Sequence, residues 1–201
     1  MGNGNEIKPF SSPYEEGVDY AKLKGFLGAK GVMVEPHDEV SRSDIIHWCE
    51  VMHDDNPLYT DEEYAKKSKY GGIIAPPSSV QAFTIDSFYA AMARFREGIT
   101  IDIEEPHSQV FAALDAAGYT SVMATNQVLE VFNPIKLGDR IYAQRTPTRI
   151  SDYDHYTRQG VARYVDVTYS FYNQDDVHLS DLVFTVIKYK PPVTTSRVYK
   201  G

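Results

Sequence analysis

The sequence predicts an α+β fold, and two observations carry that reading. Apolar residues recur at helical spacing through the first half of the chain, and from Ser121 onward the period changes to two. Helices gathered ahead of a run of antiparallel strands imply a single domain in which a long helix is covered by one curved sheet.

Each element has a local reason. Ser41 and Asp44 match a capping box, and Ile45, Cys49 and Met52 follow at helical spacing, so a helix of about three turns is expected, ending near His53. Asp54-Asp55-Asn56-Pro57 reads as a turn. A second box, Thr60 to Glu63, opens a short helix through about Lys67, and Gly71-Gly72 ends it. Ile73-Ile74-Ala75-Pro76-Pro77 is extended, because the residue before a proline avoids the α region. A third box, Ser78 to Gln81, precedes Val80, Phe83, Thr84, Ser87, Phe88, Ala91 and Phe95, which trace one face of a longer helix. This is the candidate for the central, buried helix. Ser108 to Ala117 reads as a short helix. Strands are expected from Ser121 to about Phe132 and then over 140–150, 161–173 and 179–190, with Asn133-Pro134, Gly138-Asp139 and Asn173-Gln174-Asp175-Asp176 as turns. Residues 1–30 read as an arm and lead-in, 31–190 as the domain, and 191–201 as a tail.

Composition narrows the function. The 201-residue chain carries a net charge of −8, and the acidity is uneven: residues 1–63 hold 5 Lys and Arg against 14 Asp and Glu. No basic stripe with interleaved aromatics is present, which excludes nucleic acid as the main partner. No stretch approaches the roughly 18 consecutive apolar residues of a membrane span, and the N-terminus lacks an apolar signal core, so a cytoplasmic location is expected. The single cysteine, Cys49, excludes an intramolecular disulfide and a CxxC site. His47, Cys49 and His53 do not share a helix face, so no metal is expected. Among the basic residues of the second part, Lys66, Lys67, Lys69, Arg94, Arg96, Arg140, Arg145 and Arg149 leave room for a local anion site, although a solvated face explains most of them.

The segment richest in chemistry is His53-Asp54-Asp55-Asn56-Pro57-Leu58-Tyr59-Thr60-Asp61, followed by Tyr70-Gly71-Gly72-Ile73-Ile74-Ala75-Pro76-Pro77. It sets two carboxylates and an amide in a turn near a Gly-Gly loop that feeds a helix start. Unpaired N–H groups at a helix N-terminus suit a carbonyl oxygen gaining negative charge, so an acyl-type site is the physical expectation. Turn chemistry alone also accounts for Asp54 and Asn56, and Tyr59 also fits a packing residue ahead of a helix start.

The Asp-x-Asn-Pro-Leu-x-x-Asp pattern, the Gly-Gly-Ile-Ile-Ala-Pro-Pro loop and Asn133-Pro-Ile-Lys-Leu-Gly-Asp139 together resemble MaoC-like acyl dehydratases, most closely their FAS1-like, N-terminal-type domain, over about Val34 to Lys190. The resemblance implies a hot-dog fold, in which an antiparallel sheet wraps a long helix and two units pair side by side. It also implies (R)-specific hydration of 2-enoyl-CoA thioesters, or the reverse dehydration, with no cofactor besides the CoA of the substrate. Active members use an Asp and a His five residues later, and a backbone N–H binds the thioester oxygen. Carried over, the Asp is Asp54, the Asn is Asn56, and the His position is Tyr59; Gly71, Gly72, Ile73, Ala75, Pro76 and His53 fall where substrate is bound. His53 also replaces the Gly that usually precedes the Asp. A phenol with an ordinary pKa near 10 is a poor base at neutral pH, so the chain resembles the half of a double hot dog that shapes the acyl pocket. A separate catalytic MaoC-like subunit carrying Asp and His is the implied partner. Two other readings stay open: a self-sufficient homodimeric hydratase or thioesterase using Asp54 with His53 or Tyr59, and a non-catalytic acyl-CoA-binding module.

Overall fold

The computed structural model describes residues 19–85, 92–93, 96–97 and 105–191. After a short helix α1 (Tyr20–Lys24) and a two-residue strand β1 (Met33–Val34), the chain forms α2 (Arg42–Met52), α3 (Pro57–Thr60), α4 (Glu62–Lys67), a 3-10 helix over Pro77–Thr84, and α5 (Pro106–Ala116). Five strands follow: β2 (Ser121–Val131), β3 (Tyr142–Ile150), β4 (His155–Thr157), β5 (Gly160–Tyr172) and β6 (His178–Lys190). They assemble in the order β1-β3-β5-β6-β2, with β4 paired to β5, and every pairing is antiparallel. The α+β class and the long strands thus stand where the alternating pattern put them, while the short β1 and β4 carry too few residues to show a period.

The helix entries show why local chemistry decides boundaries. Ser41 forms the full capping box with Asp44, and α2 ends on His53 in the left-handed conformation (φ 52°, ψ 41°). The other two expected boxes do not form. Thr60 belongs to α3, and the carboxylate of Asp61 caps α4 instead, accepting from the Tyr64 N–H at 3.0 Å. Ser78 lies inside the next helix, which starts at Pro77 with Pro76 in the cap position and no side-chain cap, and its Oγ accepts from the Trp48 indole at 3.3 Å. That segment is a 3-10 helix rather than the first turns of a long α-helix. Ser79 and Thr84 hydroxyls donate to the carbonyls three residues back, of Pro76 and Gln81, and such local bonds compete with the α ladder. Ser87, Phe88, Ala91 and Phe95 of the expected helix, together with the arm 1–18 and the tail from 192, lie outside the described residues.

Apolar burial falls into two clusters. One joins α2, α4 and the 73–80 segment, through Ile45, Cys49, Ala65, Ile73 and Val80, to the sheet residues Ala143, Phe171 and Leu182. The other seats α5, through Val110 and Leu114, on Ile150, Val165, Val167 and Val186. Tyr169 packs against both. Beside the second cluster the buried guanidinium of Arg163 donates to Asp154 Oδ1 (2.6 Å) and the Ser151 carbonyl (2.9 Å) and lies over the Tyr20 ring. Asp154 also accepts from the Tyr119 hydroxyl at 2.6 Å.

Candidate active site and its relatives

The loop after α2 is built by its own side chains. Asp54 N–H closes onto the Cys49 carbonyl at 2.9 Å, and Asp54 Oδ1 accepts from the Asn56 N–H at 3.2 Å. Asn56 in turn caps α3, its Oδ1 accepting from the Leu58 N–H at 3.1 Å with Pro57 at the first helical position. That one-turn helix carries Tyr59 back toward the first apolar cluster, where it is partly buried. Asp54 and Asn56 therefore do the turn and capping work that their sequence pattern predicts.

Electrostatics separate what these groups can do. Burial pushes the Tyr59 phenol above its ordinary value of 10.0, and the carboxylate of Asp54 raises it further; a hydrogen bond with Asn56 works the other way. The Cys49 thiol is raised too, by burial and then by Asp54, so neither group deprotonates readily at neutral pH. His53, Asp54 and Asp55 line an open cleft of about 560 Å³ together with Ile46, Cys49, Glu50 and Thr60. Among the described residues, no group of three or more His, Cys, Asp or Glu is arranged to hold a metal ion.

The Gly-Gly loop divides into engaged and unengaged amides. Gly71, at φ +72°, donates to Ser68, Ile74 to Leu58, and Ala75 to Ile135 at 2.8 Å. Pro76 has no N–H, and both Ala75 and Pro76 are buried. Of the five loop residues assigned to substrate, Gly72 and Ile73 have amides with no hydrogen bond among the described residues. A side chain at Gly72 would meet nothing within 4 Å, so space is open on that side of the loop.

A family model of the FAS1-like dehydratase domain region matches residues 29–182. The chain belongs to that family. A relative at 29% identity over 182 residues is the probable enoyl-CoA hydratase alpha subunit of Thermomonospora curvata, with 89% of this chain and 54% of that protein aligned. The 3-oxo-4,17-pregnadiene-20-carboxyl-CoA hydratase alpha subunit of Mycobacterium tuberculosis matches at 30% over 89 residues, 44% of this chain and 26% of that one. The chain thus spans about half or less of the length of these two relatives. Among solved structures, the ChsH1-ChsH2 complex of Mycobacterium tuberculosis superposes with a TM-score of 0.70 at 22% identity, covering 85% of this chain and 89% of that one. The fold of this dehydratase-family chain is therefore the hot dog, with the sheet left open rather than closed. A MaoC-like dehydratase structure shares it, at a TM-score of 0.53 and 20% identity over 84% of this chain and 43% of that chain.

Proposed function

We propose that this chain is the pocket-forming subunit of a heteromeric 2-enoyl-CoA hydratase, pairing with a MaoC-like subunit whose Asp and His move the protons. The observation that carries the reading is Tyr59. Where the family resemblance asks for an imidazole, the chain has a phenol that burial and Asp54 hold in its protonated form, while Asn56, the neighbouring family position, is committed to capping α3. A general base works best with a pKa near the operating pH, and this group is displaced the wrong way.

The requirement for a partner fits the sheet. Among the described residues strand β2 pairs only with β6, and its 11 residues leave a long edge with Val122, Val128 and Val131 between 45% and 56% exposed and Phe132 just beyond. Long apolar edges invite pairing with another chain, and relatives named as alpha subunits support a heteromeric assembly. In that assembly the chain contributes the Gly72 and Ile73 amides and the apolar walls beside them to the thioester, and the acyl group is enclosed between the two subunits.

Native mass spectrometry of the chain purified under mild conditions from its own host tests the assembly. The expected species contains a second hot-dog subunit bearing Asp and His, and Val128→Lys on the β2 edge releases it. A stable homodimer that turns over enoyl-CoA, and loses that activity in Asp54→Asn, would overturn the reading in favour of Asp54 and His53 as an active pair in their shared cleft.

A further inference from the structure

The guanidinium of Arg145 is placed as if for a ligand. Arg145 lies on β3 directly opposite Tyr169 of β5, and inward-facing Ala143 and Phe171 continue that face of the sheet. It is partly buried, its carbon stands 5.7 Å from the centre of the Tyr169 ring, and its Nε is sealed from solvent with no hydrogen-bond partner. Among the described residues no carboxylate pairs with it. Glu105, a buried acid near the same strand, makes no ion pair with it: Oε1 accepts from the Val32 N–H at 2.8 Å, and Oε2, 3.5 Å from His107, is buried without a hydrogen-bond partner among the described residues. The Tyr169 hydroxyl likewise has no hydrogen-bond partner among the described residues, and burial keeps it protonated, hence a donor. The other arginines on these strands are satisfied. Arg149 holds Asp166 through two nitrogens, and Arg163 holds Asp154 and the Ser151 carbonyl.

A buried guanidinium nitrogen without an acceptor forfeits its hydration and receives nothing in return. On its ring side the surroundings are apolar, since Tyr169 packs against both core clusters. Two donors set in an apolar wall suit one chemistry: a mostly hydrocarbon molecule carrying an oxygen acceptor, with the planar fork of arginine favouring a carboxylate. We propose that Arg145 and Tyr169 form a subsite for the acceptor oxygen of such a molecule. Assigning that molecule as an acyl group with a second oxygen function away from its thioester rests on the hydratase reading; the subsite itself does not.

The test uses the full chain, in the assembly in which it purifies, with dodecanoate and dodecanol as probes below their aggregation concentrations. By calorimetric titration dodecanoate binds about tenfold or more tightly than dodecanol. Arg145→Met brings dodecanoate down to the level of dodecanol and leaves dodecanol unchanged, and Tyr169→Phe gives a smaller loss. Because methionine fills the same stem without an orphaned donor, the thermal midpoint of Arg145→Met without ligand stays level or rises. Equal affinities for the two probes, wild-type dodecanoate binding by Arg145→Met, no dodecanoate binding at all, or a lowered midpoint in Arg145→Met would each overturn the subsite. A last pair, dodecanedioyl-CoA against dodecanoyl-CoA, identifies the source. The same preference for the diacid thioester supports an acyl substrate; dodecanoate discrimination without it supports a free carboxylate and counts against the thioester reading instead.

Discussion

Arg163 and Arg145 lie on one face of one sheet and meet opposite fates. Arg163 is 6% exposed and has Asp154, the Ser151 carbonyl and the Tyr20 ring around it, whereas Arg145 has a sealed nitrogen and, among the described residues, only the face of Tyr169. The first is a structural solution: a buried charge with its partners supplied by the chain itself. The second is an incomplete solution from the standpoint of folding, and such positions are where function is retained at the expense of stability. The Asp54–Tyr59 turn belongs with Arg163 in this respect. Asp54 Oδ1 and Asn56 Oδ1 both accept from the turn's own backbone, so these two partners are likewise supplied by the chain itself.

The comparison can be broken at its strongest point. Asp154→Ala removes the acceptor shared by Arg163 and Tyr119 and leaves the guanidinium buried beside a lost partner; a destabilisation of about 3 kcal/mol or more is expected by denaturant unfolding. Arg145→Met, the counterpart, is expected to shift the same curve little or toward greater stability. If the two variants destabilise alike, the contrast between the arginines is lost. At the turn, Asn56→Ala removes the cap of α3 and is expected to lower stability by about 1 kcal/mol. The smallest effect is in alkali. The folded chain holds the Tyr59 proton more tightly than the unfolded chain, so the corresponding stability is present below pH 10.0 and is lost as pH rises through the raised value. Tyr20, Tyr119 and Tyr169 are raised in the same direction, chiefly by burial, and add to the decline. Tyr59→Phe is expected to make the alkaline limb of the stability profile slightly shallower, read as the change in unfolding midpoint between neutral and strongly alkaline buffer.

How much of this was legible beforehand depends on whether a residue acts locally. The Ser41–Asp44 box, the stop at His53 and the long alternating strands follow from neighbours in sequence, and they form. The box expected at Ser78 fails because the helix starts a residue earlier, at Pro77, and the Ser78 hydroxyl meets the indole of Trp48, thirty residues back, a contact that no local pattern reports. The same holds for the sites. Asp54, Asn56 and Tyr59 announce themselves as a motif within six positions. Arg145 is visible in the sequence only as one basic residue among eight, because its distinguishing property is a missing partner and its neighbour Tyr169 lies 24 positions away on another strand. Tyr169 itself carries no sequence signal, since alternation marks it as inward-facing and nothing more.

Hydration of a 2-enoyl-CoA, followed by loss of the conjugated thioester absorbance, separates a pocket-forming role from a proton-transferring one when run on the isolated chain and on its complex with the Asp- and His-bearing subunit. A pocket-forming subunit gives no turnover alone, full turnover in the complex, and less than a tenfold change when Asp54→Asn is introduced on this side. Full turnover by the isolated chain, abolished by Asp54→Asn, would contradict it.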